Sequence, residues 1–199
     1  IMLTSLRDFL ADRPAIFAYL RKMLELGFIK QKAIVREVFG AGGGKVLDIG
    51  CGTGEFASLF SNFDYYGIDI FSNYVEYARR KNKGKFFVMD ATKLKFGDEI
   101  FDEILIMAVL HHLDDPDVIA VLREAKRVLR PGGKLLIMED ARIKEYENSF
   151  IRLAQNFDKG GFIRKPEEYK NIILDFFKIV REWSFRSGGC VYYGSLLEK

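Results

Sequence analysis

The chain is expected to fold as an α/β protein, an open doubly wound sheet whose strands are mostly parallel. Five short apolar runs, at 46–49, 65–70, 86–91, 101–107 and 134–138, follow one another with helical or turn segments between them. Such alternation builds βαβ units, in which each helix carries the chain back to the same edge of the sheet. The first run, Val46-Leu47-Asp48-Ile49, ends in Gly50-Cys51-Gly52-Thr53-Gly54, with glycine at every second position. That reads as strand, tight turn and helix.

Taken from the N-terminus, Asp12-Arg13-Pro14 offers a capping acceptor and a proline suited to a first helical turn. Ile16, Tyr19, Leu20, Met23, Leu24 and Phe28 recur at three-and-four spacing, a single helical face that is expected to pack inward. A shorter helix from Ala33 to Phe39 stops at Gly40-Ala41-Gly42-Gly43-Gly44, so about 1–40 forms a helical appendage ahead of the sheet. After the glycine turn, Glu55 to Phe60 is expected as the first sheet helix and Asn73 to Lys81 as the second, with Asp98-Glu99 a turn before the fourth strand. Asp115-Pro116 is a second cap-and-first-turn pair, for a helix that buries Val118, Ile119, Val121, Leu122, Ala125, Val128 and Leu129. Pro131-Gly132-Gly133 ends it, and the strand that follows finishes at Glu139-Asp140. From about 141 to 170 the pattern loosens into a pocket-wall insertion containing the turn Asp158-Lys159-Gly160-Gly161. Pro166 then starts a helix through about Phe176, and Phe177 to Phe185 with Cys190 to Leu197, joined by Ser187-Gly188-Gly189, reads as a closing β-hairpin.

At 199 residues the chain is long enough for one well-buried domain and short for two, so 1–199 is expected to be a single domain. It has no run of eighteen apolar residues, and its first twenty positions lack the basic-then-apolar layout of a signal peptide. A cytoplasmic enzyme without a membrane span is therefore expected; Ile1, ahead of Met2, reads as an added residue. Cys51 and Cys190 are the only cysteines, too few for a disulfide framework or a cysteine zinc site, and no metal is expected. A net charge of +3 is too mild to imply a nucleic-acid partner. The denser run Arg79-Arg80-Lys81-Asn82-Lys83-Gly84-Lys85 has no interleaved aromatic platform and reads as cations at a helix C-terminus with Gly84 as terminator.

Right-handed crossovers place the C-terminal ends of all parallel strands on one edge, where open α/β sheets bind ligands. Gly50, Asp69, Asp90 and Met107 fall there. Bare glycines let a small molecule lie directly on the backbone turn. A dinucleotide fingerprint would need glycine at position 55, where Glu55 stands, and no Gly-Lys-Ser/Thr follows to make a P-loop. The seat thus suits an uncharged or cationic ligand, and Asp69, ending the second strand, is placed to accept hydrogen bonds from a ribose diol.

Three stretches, Val46-Leu47-Asp48-Ile49-Gly50-Cys51-Gly52-Thr53-Gly54, Leu110-His111-His112-Leu113 and Leu129-Arg130-Pro131-Gly132-Gly133, resemble the class I S-adenosylmethionine-dependent methyltransferases, particularly the small-molecule branch related to quinone-biosynthesis enzymes. The resemblance covers roughly 45–140. It implies a Rossmann-like sheet of seven strands in the order 3-2-1-4-5-7-6, the last strand antiparallel. It also implies S-adenosyl-L-methionine as cofactor, S-adenosyl-L-homocysteine as product, and an appendage that covers the cofactor and helps shape the acceptor pocket. By position in these motifs, Asp48 would act through the loop on the methionine end. Gly50 and Gly52 would offer backbone contact, Asp69 would take the ribose hydroxyls, and Asp90 and Ala91 would meet the adenine, with Ile70 and Met107 packing nearby. Without a ligand, Asp48 reads as a loop-bracing carboxylate and Asp90 as a strand-end turn residue.

Methyl transfer is an in-line displacement in which sulfur loses its positive charge, so alignment and dryness matter most and one base at most is needed. His111 and His112, the only histidines, are the candidate bases. Glu139, Asp140 and Arg164 lie at the expected pocket edge, where Arg164 could hold an anionic acceptor or stand as an exposed turn residue. Amino-methylating enzymes of nucleic acids carry Asn/Asp-Pro-Pro-Tyr/Phe after the fourth strand, whereas this chain reads Ala108-Val109-Leu110-His111. The expected function is methyl transfer to a small-molecule acceptor. The alternative is a non-catalytic sensor or partner subunit that binds the cofactor or its product, and a nicotinamide oxidoreductase is disfavoured by Glu55.

Overall fold

A computed structural model of the protein describes residues 13–40, 42–143 and 161–199. Asp12, and most of the insertion expected at 141–170 with Asp158, Lys159 and Gly160 of its turn, lie outside these residues. Strands β1 (Gly44–Ile49), β2 (Phe63–Asp69), β3 (Lys85–Val88), β4 (Phe101–Met107), β5 (Leu129–Asp140), β6 (Lys178–Ser187) and β7 (Cys190–Glu198) form one sheet in the order β3-β2-β1-β4-β5-β7-β6. The first five pair in parallel and β7 pairs antiparallel to both β5 and β6, as expected.

Both sheet faces are covered, which is why β1 and β4 read as nearly unbroken apolar runs. Leu47, Ile49, Ile104 and Ile106 point into one core layer together with Val118, Val121, Leu122 and Ala125 of helix α4 (Asp115–Val128) and Tyr169 and Ile173 of α5 (Pro166–Leu174). Val46, Leu105, Leu136 and Met138 point into the other, against Val35 and Phe39 of α2 (Ile29–Phe39) and Val75 and Ala78 of α3 (Ser72–Lys81). Helix α1 (Pro14–Leu24) precedes α2 and contacts α3.

Several sequence expectations are corrected at element level. Glu55 to Phe60 is not an α-helix: residues 52–56 are turns and Ala57–Phe60 is a single 3-10 turn. The i→i−3 bonds Gly54 N to Cys51 O, Ala57 N to Gly54 O and Leu59 N to Phe56 O run through it. Gly54 has φ +77°, outside the helical region, and buried Phe56, Ala57 and Phe60 draw the short segment onto the core, Phe60 packing on Phe39, Phe63 and Tyr65. The cap of α4 is Asp114, whose carboxylate accepts from Asp117 N at 3.0 Å; Asp115 is the first helical residue. Helix α1 begins after Arg13 with no side-chain cap.

The largest departure concerns α1. Its apolar face, expected to pack inward, is exposed: Tyr19 is 63% and Met23 61% accessible, with Ile16 and Leu20 also open to solvent, and Leu24 and Phe28 turn inward. The reason lies in the link to α2, where Leu26, Gly27 and Phe28 all have positive φ. That left-handed turn swings Phe28 into the core and Leu26 out.

Candidate functional site

The C-terminal ends of β1, β2 and β4 meet at the glycine turn. Gly50, Gly52 and Gly54 all adopt left-handed backbone, at φ +73°, +51° and +77°, a region costly for any residue with a Cβ. A Cβ on Gly50 would collide with Val109 Cγ2, and one on Gly54 would sit 2.5 Å from Asn82 Nδ2. A Cβ on Gly52 would meet nothing within 4 Å. Gly52 alone of the three faces open space, so it is where a ligand can rest on bare backbone.

Asp69 closes this turn. Its Oδ2 accepts from Gly52 N and its Oδ1 from Phe71 N, each at 2.9 Å. Burial pushes its carboxyl above the usual range, while those amide bonds pull the other way. Asp48, one strand over, is 2% exposed and accepts from Tyr65 Oη at 2.6 Å. Burial pushes its pKa up to about 7, the Tyr65 bond opposes this, and the neighbouring Asp69 charge adds to it. Glu55 is held by Lys32 Nζ at 2.5 Å, with Lys22 at 3.9 Å, so the appendage ties directly to the turn; Phe28 meets Phe56 edge-on alongside.

Beyond Asp69 the edge is apolar and accessible, with Ile70 62% and Phe71 54% exposed. Met89 N donates to Asp69 O, which brings Asp90 and half-buried Ala91 round the same edge. Asp90 Oδ1 accepts from Thr92 N and Thr92 Oγ1 at 2.8 Å, an Asx turn on an exposed residue. Met107 is buried at the end of β4, and Ala108 follows it at φ +54°. A non-glycine residue held there is strained, and such strain collects at ligand sites.

The strand-four turn is clamped from behind. Glu139 accepts from Val109 N at 2.9 Å, His111 N at 3.3 Å and His111 Nδ1 at 2.9 Å, and both Glu139 and His111 are fully buried. His112 is exposed, its ring 4.0 Å from that of His111. Arg164 is 6% exposed, not an exposed turn residue. Its guanidinium donates to Asp115 Oδ1 at 3.0 and 2.6 Å, Leu110 O at 2.9 Å, Phe162 O at 3.1 Å and Leu113 O at 2.8 Å. Those five bonds match the five N–H donors of an arginine, so its fork braces the chain.

The structure thus gathers Asp48, Gly50, Gly52 and Asp69 around one turn, sets Ile70, Asp90 and Ala91 along its flank, and draws His111 and Arg164 into the turn's support. Residues that sequence reasoning passed over are Phe71, Ala108, Val109 and Glu25. Phe71 was findable, as a large apolar residue next to the strand-end acid. Ala108 and Val109 carry no signal, since backbone strain and the fit to Gly50 leave no letter pattern.

Glu25 is fully buried yet charged by type. It accepts from Arg21 Nε at 2.7 Å and Gln31 Nε2 at 2.8 Å, and from Tyr192 Oη, while Ser187 Oγ donates to Glu25 O at 3.1 Å. Tyr192 lies opposite Asp140 on β5, so this knot fastens the appendage to the hairpin beside the crevice.

The sequence profile of a family described as a methyltransferase domain matches residues 47–137. The chain is 31% identical over 154 residues to a demethylmenaquinone methyltransferase of Staphylococcus saprophyticus, covering 70% of this chain and 65% of that one. It is 40% identical over 97 residues to a probable tRNA methyltransferase 9B of Mus musculus, covering 48% and 21%. It therefore spans less than two thirds of the length of these relatives. A solved S-adenosylmethionine-dependent methyltransferase structure from Methanosarcina mazei superimposes with a TM-score of 0.64 at 23% identity, over 78% of this chain and 92% of that one, a likeness of fold. Glycine turn, strand order and these matches agree: the chain has a Rossmann-like methyltransferase fold, and its residues 47–137 resemble the methyltransferase-domain family.

Proposed function

We propose that the crevice above β1, β2 and β4 binds S-adenosyl-L-methionine and that the chain directs its methyl group to a small organic acceptor, leaving S-adenosyl-L-homocysteine. The observation that carries this reading is the Gly52 turn, left-handed, open on its outer side and ringed by Asp48, Glu55 and Asp69. Of these three acids, Glu55 alone has an ion-pair partner among the described residues. With Glu55 paired to Lys32 and Asp48 buried on Tyr65, Asp69 is the acid a ligand on Gly52 would meet, an acceptor for a ribose diol and a repulsive neighbour for a pyrophosphate.

The cofactor, when bound, supplies the activated methyl group. Asp69 keeps its two amide bonds and still has lone pairs for the ribose hydroxyls, since a carboxylate offers about four acceptor sites. Gly50 and Gly52 give backbone contact, Asp48 holds the turn through Tyr65, and Ile70, Asp90, Ala91 and Met107 bound the adenine. His111, buried on Glu139, positions the Ala108–Leu113 turn, and His112 is the imidazole an acceptor meets. Arg164 supports the same turn from below, so it does not recognise acceptor charge.

Similarity to the demethylmenaquinone enzyme supports a small acceptor, and similarity to the tRNA enzyme supports an RNA one. The charge layout favours the first. Arg79, Arg80 and Lys81 lie in the last turn of α3, whose first turn follows β2, so the run sits one helix length, about 15 Å, from the crevice. Arg79 is also spent on Phe86 O, and Lys85 on Asp64 and Tyr66.

Calorimetry with S-adenosyl-L-methionine and with NAD tests the seat: the first should bind, the second should not, and Asp69→Ala should abolish binding. Binding of NAD alone would sink the proposal. Labelled-methyl transfer into a metabolite extract and into bulk tRNA then tests the acceptor. Label in tRNA alone would replace the small-molecule reading, and cofactor binding with no label in either would favour a sensor subunit.

A further inference from the structure

Helix α1 turns an apolar face to solvent. Its residues at 16, 19, 20 and 23 share one face by their three-and-four spacing, and Ile16, Tyr19, Leu20 and Met23 are all exposed. Across the left-handed turn, Leu26 and Ile29 are exposed as well, at 63% and 70%. On the inner side Leu24 and Phe28 pack on the core, and a polar knot sits beside them. Glu25 is fully buried with Arg21, Gln31, Ser187 and Tyr192 around it. Single exposed apolar residues need no explanation, but six between Ile16 and Ile29, four of them on one helical face, are the kind of concentration that marks a docking surface.

The charge around the patch says what it docks on. Across residues 13–30 the exposed ionisable side chains with permanent charge are Arg13, Lys22 and Lys30, and the single acid of that stretch, Glu25, is buried. Apolar side chains flanked by cations, with no exposed carboxylate among residues 13–30 and Lys22 3.9 Å from the partly exposed Glu55, match the interface of a bilayer that carries anionic lipid: the chains enter the acyl boundary while the cationic groups meet phosphate. No helix among the described residues is long and apolar enough to cross a membrane, so the contact would be made on the surface. Buried Glu25 gives this arrangement a rigid base, because the knot holds the inner face of α1 to the β6–β7 hairpin and fixes which side is turned outward.

We propose that the exposed face of α1, together with Leu26 and Ile29, is a docking surface for an anionic lipid bilayer. This stands apart from methyl transfer, and cofactor calorimetry on the same samples separates a failure of one from a failure of the other. The full chain is mixed with sedimentable vesicles of phosphatidylcholine, alone or with phosphatidylglycerol, and the bound fraction is read after centrifugation. Binding should require phosphatidylglycerol. It should fall roughly tenfold or more in the double variant Leu20→Glu, Met23→Glu, and about fivefold in Lys30→Gln, the loss expected for one interfacial lysine.

The melting temperature of the free variants should stay at the wild-type value, since these side chains already face water. No binding to either vesicle would overturn the proposal, as would equal binding to both. A wild-type dimer in sedimentation velocity that the double variant abolishes would overturn it in favour of a second copy of the chain. A drop in melting temperature for the double variant would overturn it by showing that the face is covered within the chain itself.

Discussion

Three glycines written identically in the sequence do three different things. Gly50 is small because Val109 occupies the space beside it, Gly54 because Asn82 does, and Gly52 because nothing does. Alanine at Gly50 should therefore cost the left-handed penalty of about 1–2 kcal/mol and overpacking of about 1–3 kcal/mol besides. Alanine at Gly52 should cost only the first, yet weaken cofactor binding. Denaturant unfolding reads the stabilities and calorimetry the affinity; wild-type affinity in Gly52→Ala would mean that the open space is not the seat. Arg164 shows the same limit of sequence reading. Its letter allows an anion receptor or a surface residue, and only the positions of Leu110 O, Phe162 O, Leu113 O and Asp115 reveal a brace. Arg164→Ala should strip buried carbonyls of their donor and lower stability by about 3 kcal/mol in chemical denaturation. Arg164→Lys should recover little, because an ammonium cannot reproduce the planar fork. A loss of acceptor affinity at unchanged stability would instead make Arg164 a substrate contact.

At the scale of elements, periodicity identified α1 as a helix and grouped Ile16, Tyr19, Leu20 and Met23 on one face, but carried that face on to Leu24 and Phe28, which turn inward, and missed the direction in which it turns. The direction is set by what lies outside the helix: positive φ at Leu26, Gly27 and Phe28, and a polar knot assembled from Glu25, Gln31, Ser187 and Tyr192, which are up to 167 positions apart. No local window contains those partners. The stretch after the glycine turn failed for the opposite reason, since its residues suit a helix but the span before β2 is short and its aromatics are claimed by the core. The knot itself is testable as a fastening. Tyr192→Phe removes one donor to Glu25 and leaves a buried carboxylate with fewer partners. Hydrogen exchange should then speed up across Leu24–Gln31 while amides of β1 and β4 keep their protection. Uniform acceleration over the whole sheet would mean that the knot supports global stability and not the seating of the appendage.

For the whole molecule, the mostly parallel sheet followed from chain-wide regularities, handed crossovers and apolar runs buried on two faces, and the strand order from the family resemblance. What could not be read was how burial would act on ionisable groups, which depends on every layer at once. Asp48 lies inside the sheet sandwich and Glu103 near the other end of β4, and burial pushes each up to about 7. Their carboxyls have ordinary values near 4 in the unfolded chain, so between roughly pH 4 and 7 the folded state retains protons that the unfolded state releases. Folding stability should consequently fall as pH rises through that window and level off above it. For Asp48 the upper bound is about 4 kcal/mol, three pH units at about 1.4 kcal/mol each. Asp48→Asn keeps an oxygen for Tyr65 Oη but has no proton to lose, so its stability should decline less over the window, Glu103 still contributing to the remaining slope. The comparison is made by urea unfolding of both proteins at pH 4.5, 5.5, 6.5 and 7.5. Parallel curves would show that Asp48 titrates alike in the folded and unfolded chain, and that the acid beneath the glycine turn is better solvated than its burial implies.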